Sequence, residues 1–313
     1  MTGSSPSALR YPPVILGTVC VPWNEDHSFA AEAFRRTTRL LRSRLTPHLY
    51  LFGTAGEGYA VTDTQFETIC RVFAEEMGGD GAWPMIGVIS LSLGTVIERI
   101  ECARALGFRR FQISLPCWGA LADDELRRFF DETCGRFPEC GFLHYNLPRA
   151  KRLLTGADYA ELARRHPNLV ATKQGGNPAD AAGLMRQAPM LTHFFGERTF
   201  ARASQAGECG LLISLASINP AAGRQFFAAA QARDTAQLQL LADELQVVLD
   251  IVLGLASGIA HMDGAFDKAF CRMLVPDFPL RLLPPYASFN EDQFARMVEE
   301  IRRRAPRWQP PSA

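Results

Sequence analysis

A lysine at the end of an apolar segment is the residue of this sequence with the clearest chemical potential. Lys173 follows Val170-Ala171-Thr172, and the 33 basic residues of the chain include only two other lysines, Lys151 and Lys268. Arginine cannot act as an amine nucleophile because its guanidinium stays protonated. Desolvation beside a buried strand favours the uncharged amine of Lys173, which can then attack a ketone and form a Schiff base. A structural lysine paired with a carboxylate fits the position equally well.

A glycine-rich segment, Gly53-Thr54-Ala55-Gly56-Glu57-Gly58, follows another short apolar run. Such loops let backbone N–H groups approach an anion, either a phosphate or a carboxylate. The spacing does not match a dinucleotide-binding signature, which also requires an acidic residue downstream. A purely structural turn is an equally good interpretation of this segment.

Tyr145 ends a third apolar run, where a phenol could transfer protons or simply pack. Its neighbour His144 is expected to face the opposite side of a regular strand. We interpret the histidines as structural or surface residues and predict no metal site, because they lack paired ligand spacing: His27, His48, His144, His166, His193 and His261.

Short apolar runs alternate with amphipathic segments along the first two thirds of the chain. Strands are predicted at Val14–Cys20, His48–Gly53, Pro84–Ile89, Arg110–Ser114, Gly141–Tyr145, Leu169–Thr172, Leu191–Phe195 and Gly210–Leu215. The intervening helices are predicted at Ser28–Leu45, Asp63–Met77, Gly94–Leu106, Asp123–Arg136, Thr155–His166 and Pro178–Gln187, with Asn177 as the cap of the last, and a short helix begins at Thr199. Eight such units predict an α/β fold, a (β/α)8 TIM barrel, and an open doubly wound sheet is the alternative.

The strand pattern stops at Pro220, and a C-terminal helical extension is predicted beyond it. Its helices are Gly223–Ala232, Thr235–Gly254, Gly258–Leu274 and Asn290–Arg304. We therefore predict a flexible N-terminal arm at 1–11, the barrel at 12–222 and a helical region at 223–313. Because TIM-barrel active sites lie at the carboxyl ends of the strands, Lys173, Tyr145 and the glycine-rich segment all fall where a site is expected.

Composition excludes several classes of function. The formal net charge is zero, whereas a nucleic-acid-binding protein usually has a basic surplus. No apolar run reaches the roughly 18 residues that a membrane span needs, and the first residues lack the apolar core of a signal peptide. The eight cysteines form no C-x-x-C pair, so we expect reduced, mostly buried thiols in a cytoplasmic protein.

Taken together, the motifs resemble those of the dihydrodipicolinate synthase / N-acetylneuraminate lyase superfamily, the class I pyruvate aldolases. The resemblance covers about residues 12 to 304 and fits the interval of 28 residues from Tyr145 to Lys173. The segments that carry it are Gly53-Thr54-Ala55-Gly56-Glu57, Tyr145-Asn146-Leu147-Pro148 and Thr172-Lys173-Gln174, with Val19-Cys20-Val21-Pro22-Trp23 and Pro284-Pro285 as weaker matches.

The resemblance implies roles for particular residues. It implies that Lys173 is the Schiff-base lysine, that Tyr145 relays protons and that the Thr54 hydroxyl is linked to Tyr145. The backbone of Gly53, Thr54 and Ala55 would bind the carboxylate of the 2-oxo acid, and Gly196 and Ile213 would line the pocket. It also implies that the enzyme uses no metal or organic cofactor, that its partners are a small 2-oxo acid and an aldehyde, and that it is a homotetramer built as a dimer of dimers.

Four departures separate this chain from the usual pattern of that superfamily, and those at Cys117-Trp118 and Ala150 are departures from its lysine-pathway synthases. Ala55 stands where a second hydroxyl is common, and Cys117-Trp118 replaces a tyrosine pair that completes the proton relay. Arg149 directly follows Pro148, so Ala150 takes the place of a substrate-binding arginine; Arg149 or Arg152 could compensate. Gln174 replaces a frequent glutamate.

Three functional hypotheses follow from these observations. The first is a lyase that condenses or cleaves a 2-oxo acid with another aldehyde, or a hydratase-aldolase, with Trp118 and Arg149 as candidate substrate-binding residues. The second is dihydrodipicolinate synthase itself, acting on pyruvate and aspartate semialdehyde. The third is a 2-oxo acid binding protein without turnover. Trp118 and Phe195 favour an apolar or aromatic partner over a sugar.

Overall fold

Parallel strands close into an eight-stranded barrel in the computed structural model, which describes residues 10–79, 81–175, 180–258 and 262–309. The strands follow one another around the barrel in chain order, which confirms the predicted TIM barrel and excludes the open sheet. They are β1 Ile15–Val19, β2 Leu49–Leu51, β3 Met85–Gly87, β4 Arg110–Ile113, β5 Gly141–Asn146, β6 Leu169–Gln174, β7 Thr192–Phe195 and β8 Gly210–Ile213.

Helices follow the strands, and further helices complete the C-terminal part of the described chain. They are α1 Ala31–Arg44, α2 Asp63–Met77, α3 Leu93–Ala105, α4 Asp123–Phe130, α5 Gly156–Arg165, α6 Ala181–Gln187, α7 Glu197–Ala206, α8 Pro220–Gln231, α9 Thr235–Ala256, α10 Gly264–Leu274 and α11 Glu291–Arg304. Helix α2 has the predicted bounds because Thr62 and Gln65 form a capping box at its start.

Several element ends differ from the sequence prediction. Strand β6 continues through Lys173 to Gln174, two residues beyond its predicted end. The predicted helix at 123–136 is α-helical only to Phe130 and continues as a π turn to Gly135. Asp180 caps α6, and the predicted cap and start at 177 and 178 lie outside the described residues. Helix α10 begins at Gly264 rather than at 258.

The chain divides into two compact units. The first comprises 1–14 and 88–211, with strands β4 to β7 and helices α3 to α7. In its described part Tyr11 is buried, and its N–H donates to the carbonyl of Val170 at 3.3 Å. The second comprises 15–87 and 212–313, with strands β1 to β3 and helices α8 to α11, so the C-terminal helices belong to the same unit as the first three strands.

A buried ion pair holds the second unit together. Lys268 of α10 contacts Glu57, in the turn after β2, and both side chains are 0% exposed. The Glu57 carboxylate also accepts hydrogen bonds from Nε1 of Trp23 and from the N–H of Leu283, each at 2.8 Å. Lys268 also donates to the carbonyl of Arg281. Burial lowers the pKa of Lys268, and the Glu57 carboxylate opposes that effect.

Replacing one partner of this pair should therefore be costly. We expect Lys268→Met to lower the free energy of unfolding by about 3–5 kcal/mol, because it leaves a buried carboxylate uncompensated. The double variant Glu57→Gln, Lys268→Met should lose less than the single one. Urea denaturation measures both, and the exposed Lys151→Met is the control. A loss in Lys268→Met no greater than in Lys151→Met would show that the pair carries little charge in the fold.

Candidate functional site

Strands β5 and β6 bring Tyr145 and Lys173 side by side. The two residues are register partners, as are His144 with Thr172 and Asn146 with Gln174. Because side chains alternate along a strand, Tyr145 and Lys173 project from one face and their sequence neighbours from the other. The Lys173 Nζ lies 4.2 Å from the centroid of the Tyr145 ring. Two residues that are far apart in sequence thus form a single amine–phenol pair.

No acidic side chain of the described residues forms an ion pair with the amine of Lys173. Its side chain is partly buried, Tyr145 is 8% exposed, and Ala171 and Phe194 nearby on β6 and β7 are fully buried. Within the described ranges the side-chain amine of Lys173 has no hydrogen bond or ion pair, and it contacts the aromatic ring of Tyr145. Lys268, in contrast, is paired with Glu57. Among the residues that the structure describes, a carboxylate thus pairs with Lys268 and none pairs with Lys173.

The opposite face of the same strands carries a network of neutral polar side chains. Asn146 donates from Nδ2 to Gln174 Oε1 at 3.0 Å, and Gln174 donates from Nε2 to Thr172 Oγ1 at 2.9 Å. Thr172 Oγ1 lies 2.7 Å from Nδ1 of His193, whose Nε2 lies 3.0 Å from the carbonyl of Ala188. The network therefore ties both residues that flank Lys173 to the neighbouring strands.

Two buried histidines on this outer face remain uncharged near neutral pH. His144 directs Nδ1 at the hydroxyl of Tyr159 on α5, at 2.8 Å, so it faces away from Tyr145 as the strand alternation predicts. Burial lowers the pKa of His144 to about 3 and that of His193 to about 4. Sequence analysis did not single out this network, although polar residues at every second position of β5 and β6 were a visible signal.

The glycine-rich segment is a tightly packed turn in the second unit. The N–H of Gly58 donates to the carbonyl of Gly53 at 3.3 Å, and that of Glu57 to Thr54 at 3.2 Å. Glu57 has φ 55°, and a Cβ on Gly58 would lie 2.3 Å from the Phe52 carbonyl oxygen, which no side chain tolerates. The Glu57 carboxylate anchors the turn through Lys268 and Trp23. Thr54 and Ala55 are buried within this turn.

The remaining predicted site residues lie at other strand ends. Gly196 precedes α7 as its N-cap, and Ile213 is the buried last residue of β8. Arg149 is exposed in a 3-10 turn at Pro148–Ala150.

The loop after β4 carries Trp118, whose side chain lies in solvent. It is 85% exposed, and its carbonyl accepts from Nζ of Lys151 at 2.8 Å. Arg152 pairs with Asp123 and donates to the carbonyl of Leu121, each at 2.6 Å, so it braces two loops. Trp118 is thus exposed, whereas Tyr145 is buried and Lys173 partly buried.

Three further predictions concern ligands, thiols and membranes. In the described part of the chain, no three side chains of His, Cys, Asp or Glu cluster as a metal would require. The eight cysteines, all of them in the described ranges, are thiols rather than disulfides, and Cys102 and Cys117 are the two that are not buried. No helix of the described ranges is long and apolar enough to span a membrane.

Comparison with known proteins places these features in a family. The sequence model of the "Dihydrodipicolinate synthetase family" matches residues 12–260. Among curated proteins, a "Probable 5-dehydro-4-deoxyglucarate dehydratase" of Rhodococcus jostii is 28% identical over 49% of each chain. A "4-hydroxy-tetrahydrodipicolinate synthase" of Exiguobacterium is 27% identical over 55% of this chain and 58% of that protein. The chain thus spans about half the length of the curated relatives it matches.

Solved structures share the fold at low sequence identity. YagE of E. coli, described as a member of the dihydrodipicolinic acid synthase family in complex with pyruvate, superposes with a TM-score of 0.82 at 16% identity, over 93% of this chain and 98% of that one. A sialic acid aldolase of Ruminococcus gnavus gives a TM-score of 0.83 at 15% identity, over 94% and 97%. The family match spans all eight strands of the barrel, and the chain therefore belongs to the dihydrodipicolinate synthetase family.

Proposed function

We propose that this protein is a class I aldolase-type lyase in which Lys173 forms a Schiff base with pyruvate or a related 2-oxo acid. The observation that carries the proposal is the amine of Lys173, which lies against Tyr145 and has no acidic partner in the described chain. An amine held without a counter-charge in apolar surroundings is suited to nucleophilic attack on a ketone. A lysine kept for stability would resemble Lys268.

The chemistry follows from the amine–phenol pair. The Lys173 nitrogen attacks the ketone carbon of the 2-oxo acid, and the carbonyl oxygen leaves as water after it has been protonated. The resulting iminium accepts the electron pair of a C–H or C–C bond on the adjacent carbon, which gives an enamine. The enamine carbon can then attack an aldehyde, or the same steps can run in reverse. Tyr145 is the group placed to transfer the protons.

This mechanism uses no metal or organic cofactor, since the iminium itself is the electron sink. The roles that family resemblance implies for Thr54, Gly53, Ala55, Gly196 and Ile213 are part of the proposal, as are those of Trp118 and Arg149 in substrate binding. The pyruvate in the description of YagE and the sialic acid aldolase activity in that of the Ruminococcus protein both support a 2-oxo acid as one substrate.

A dehydratase is the second candidate, since the curated Rhodococcus relative is named a probable dehydratase. An iminium at Lys173 would serve that reaction too, because it also labilises a hydroxyl group two carbons away. Synthesis of the lysine-pathway product is disfavoured by Trp118, which cannot relay a proton, and by Ala150, which stands at the place of the usual arginine.

Borohydride reduction in the presence of pyruvate tests the Schiff base. We expect one covalent adduct, located on Lys173 by mass spectrometry of peptides, because reduction fixes the iminium as a stable amine. Lys173→Ala should form none, and Lys151→Ala should be labelled like the wild-type chain. A wild-type protein that remains unlabelled at saturating pyruvate would remove the enzyme proposal and leave a binding protein.

Proton transfer by Tyr145 can be tested without knowledge of the aldehyde. We expect Tyr145→Phe to slow exchange of the pyruvate methyl protons with deuterated water by about 10²–10⁴-fold, the usual contribution of general acid–base help. Proton NMR follows the exchange. The adduct with Lys173 should still form on long incubation. Exchange at the wild-type rate would assign the proton transfer to another group.

The second substrate requires a screen. With pyruvate and aspartate semialdehyde we expect little cyclised product, because the relay and arginine positions are changed. The screen should set apolar and aromatic aldehydes with pyruvate against 5-dehydro-4-deoxyglucarate alone, with product identified by mass spectrometry. Rapid cyclisation of aspartate semialdehyde would identify the lysine-pathway synthase, and turnover of the sugar acid would identify the dehydratase.

A further inference from the structure

The polar network on the outer face of β5 to β7 has backbone groups at both ends, and these fix its proton directions. At one end Asn146 Oδ1 accepts from the N–H of Leu154 and Nδ2 donates to the carbonyl of the same residue, each at 2.9 Å. A backbone N–H only donates and a carbonyl only accepts, so the orientation of the Asn146 amide is unambiguous. Its Nδ2 therefore faces Gln174.

The direction of donation in each further hydrogen bond of the network follows from that of the one before it. Gln174 must present Oε1 to the Asn146 Nδ2, at 3.0 Å, so that its Nε2 donates to Thr172 Oγ1. At the other end, His193 Nε2 faces the carbonyl of Ala188 and must carry a proton. In a neutral imidazole Nδ1 is then an acceptor, and it receives the Thr172 hydroxyl proton.

We propose that Gln174 is a positioning residue for Lys173: its amide links the hydrogen bonds that run in one direction from Leu154 to Ala188, in which His193 accepts at Nδ1 and donates from Nε2, and it thereby ties down both neighbours of the lysine. Thr172 and Gln174 are bound on the outer face, so the intervening Lys173 is held toward Tyr145 on the inner one. This role rests on the proposed Schiff-base function, whereas the state of His193 does not.

A carboxylate at position 174 would be incompatible with this series of hydrogen bonds. Glutamate only accepts when ionised, so the Thr172 hydroxyl would turn toward it and cease to donate to His193. His193 would then have to donate from both ring nitrogens, to Thr172 and to Ala188, which only the imidazolium can do. A glutamine at 174 and an uncharged His193 are thus two parts of one arrangement.

The titratable groups near His193 in the described chain do not include a carboxylate paired with its ring. The ring of Tyr159 lies 6.5 Å from that of His193, and the Tyr159 hydroxyl lies 2.8 Å from Nδ1 of His144. The Arg10 guanidinium acts on His193 and disfavours its charged form, as burial does. Asp158 acts on Tyr159 rather than on His193. Within the described chain no acid forms an ion pair with His193, in keeping with an uncharged ring.

Nitrogen NMR of the histidine side chains tests the proton direction in the wild-type protein. We expect His193 at neutral pH to carry its proton on Nε2 only and to titrate near 4. In Gln174→Glu the pKa of His193 should rise to about 6.5, its ordinary value, or above. The exposed Gln231→Glu on α8 is the charge control and should leave His193 unchanged. A proton on Nδ1 in the wild type, or an unaltered titration in Gln174→Glu, would overturn the proposal.

The effect on Lys173 is measured with the variant Gln174→Met, which interrupts the series of hydrogen bonds without adding charge. We expect its rate of borohydride trapping with pyruvate to fall about tenfold or more through loss of alignment, with a smaller change in the half-saturating pyruvate concentration. Trapping at the wild-type rate would refute the positioning role. Failure of the wild-type protein to trap pyruvate would instead refute the proposed function. The NMR result would still decide the direction of the hydrogen bonds.

Discussion

The parallel register of β5 with β6 is the constraint on which the candidate chemistry depends. It places Tyr145 beside Lys173 on one face, and Asn146 beside Gln174 on the other. A shift of one residue would exchange the two faces and place the amine among the outer polar groups. The hydrogen bonds of Asn146, Thr172 and Gln174 oppose that shift, because they would all be lost together. The outer network and the inner amine–phenol pair are therefore two consequences of one pairing.

Lys268 and Lys173 show how the surroundings of a lysine determine whether its charge has a partner. Lys268 lies in a fully enclosed position, so its charge requires Glu57 as a partner, and Glu57 in turn is held by Trp23 and Leu283. Lys173 lies at a strand end with an aromatic ring as its neighbour. The first arrangement stabilises a turn, and the second is the one on which the proposed Schiff-base chemistry rests.

The residues proposed to bind the second substrate lie on loops rather than on strands. The exposed Trp118 and Arg149 lie on segments that vary readily without disturbing the barrel. Membership of the family fixes neither the aldehyde nor the choice between condensation, cleavage and dehydration, since relatives carry different names. The homotetramer implied by family resemblance remains a prediction in the same sense, as does the cytoplasmic location.

The sequence by itself determined the barrel, the approximate position of every strand, and Lys173 and Tyr145 as strand-end residues, because hydrophobic periodicity and strand–helix alternation are local properties. It did not determine that β6 includes Lys173, or that Gln174 is bonded to Asn146 and Thr172. Nor did it pair Lys268 with Glu57, which is 211 positions away. Only the tertiary structure decided these contacts, because hydrogen bonds and ion pairs form between groups that folding brings within about 3 Å, whatever their separation along the chain.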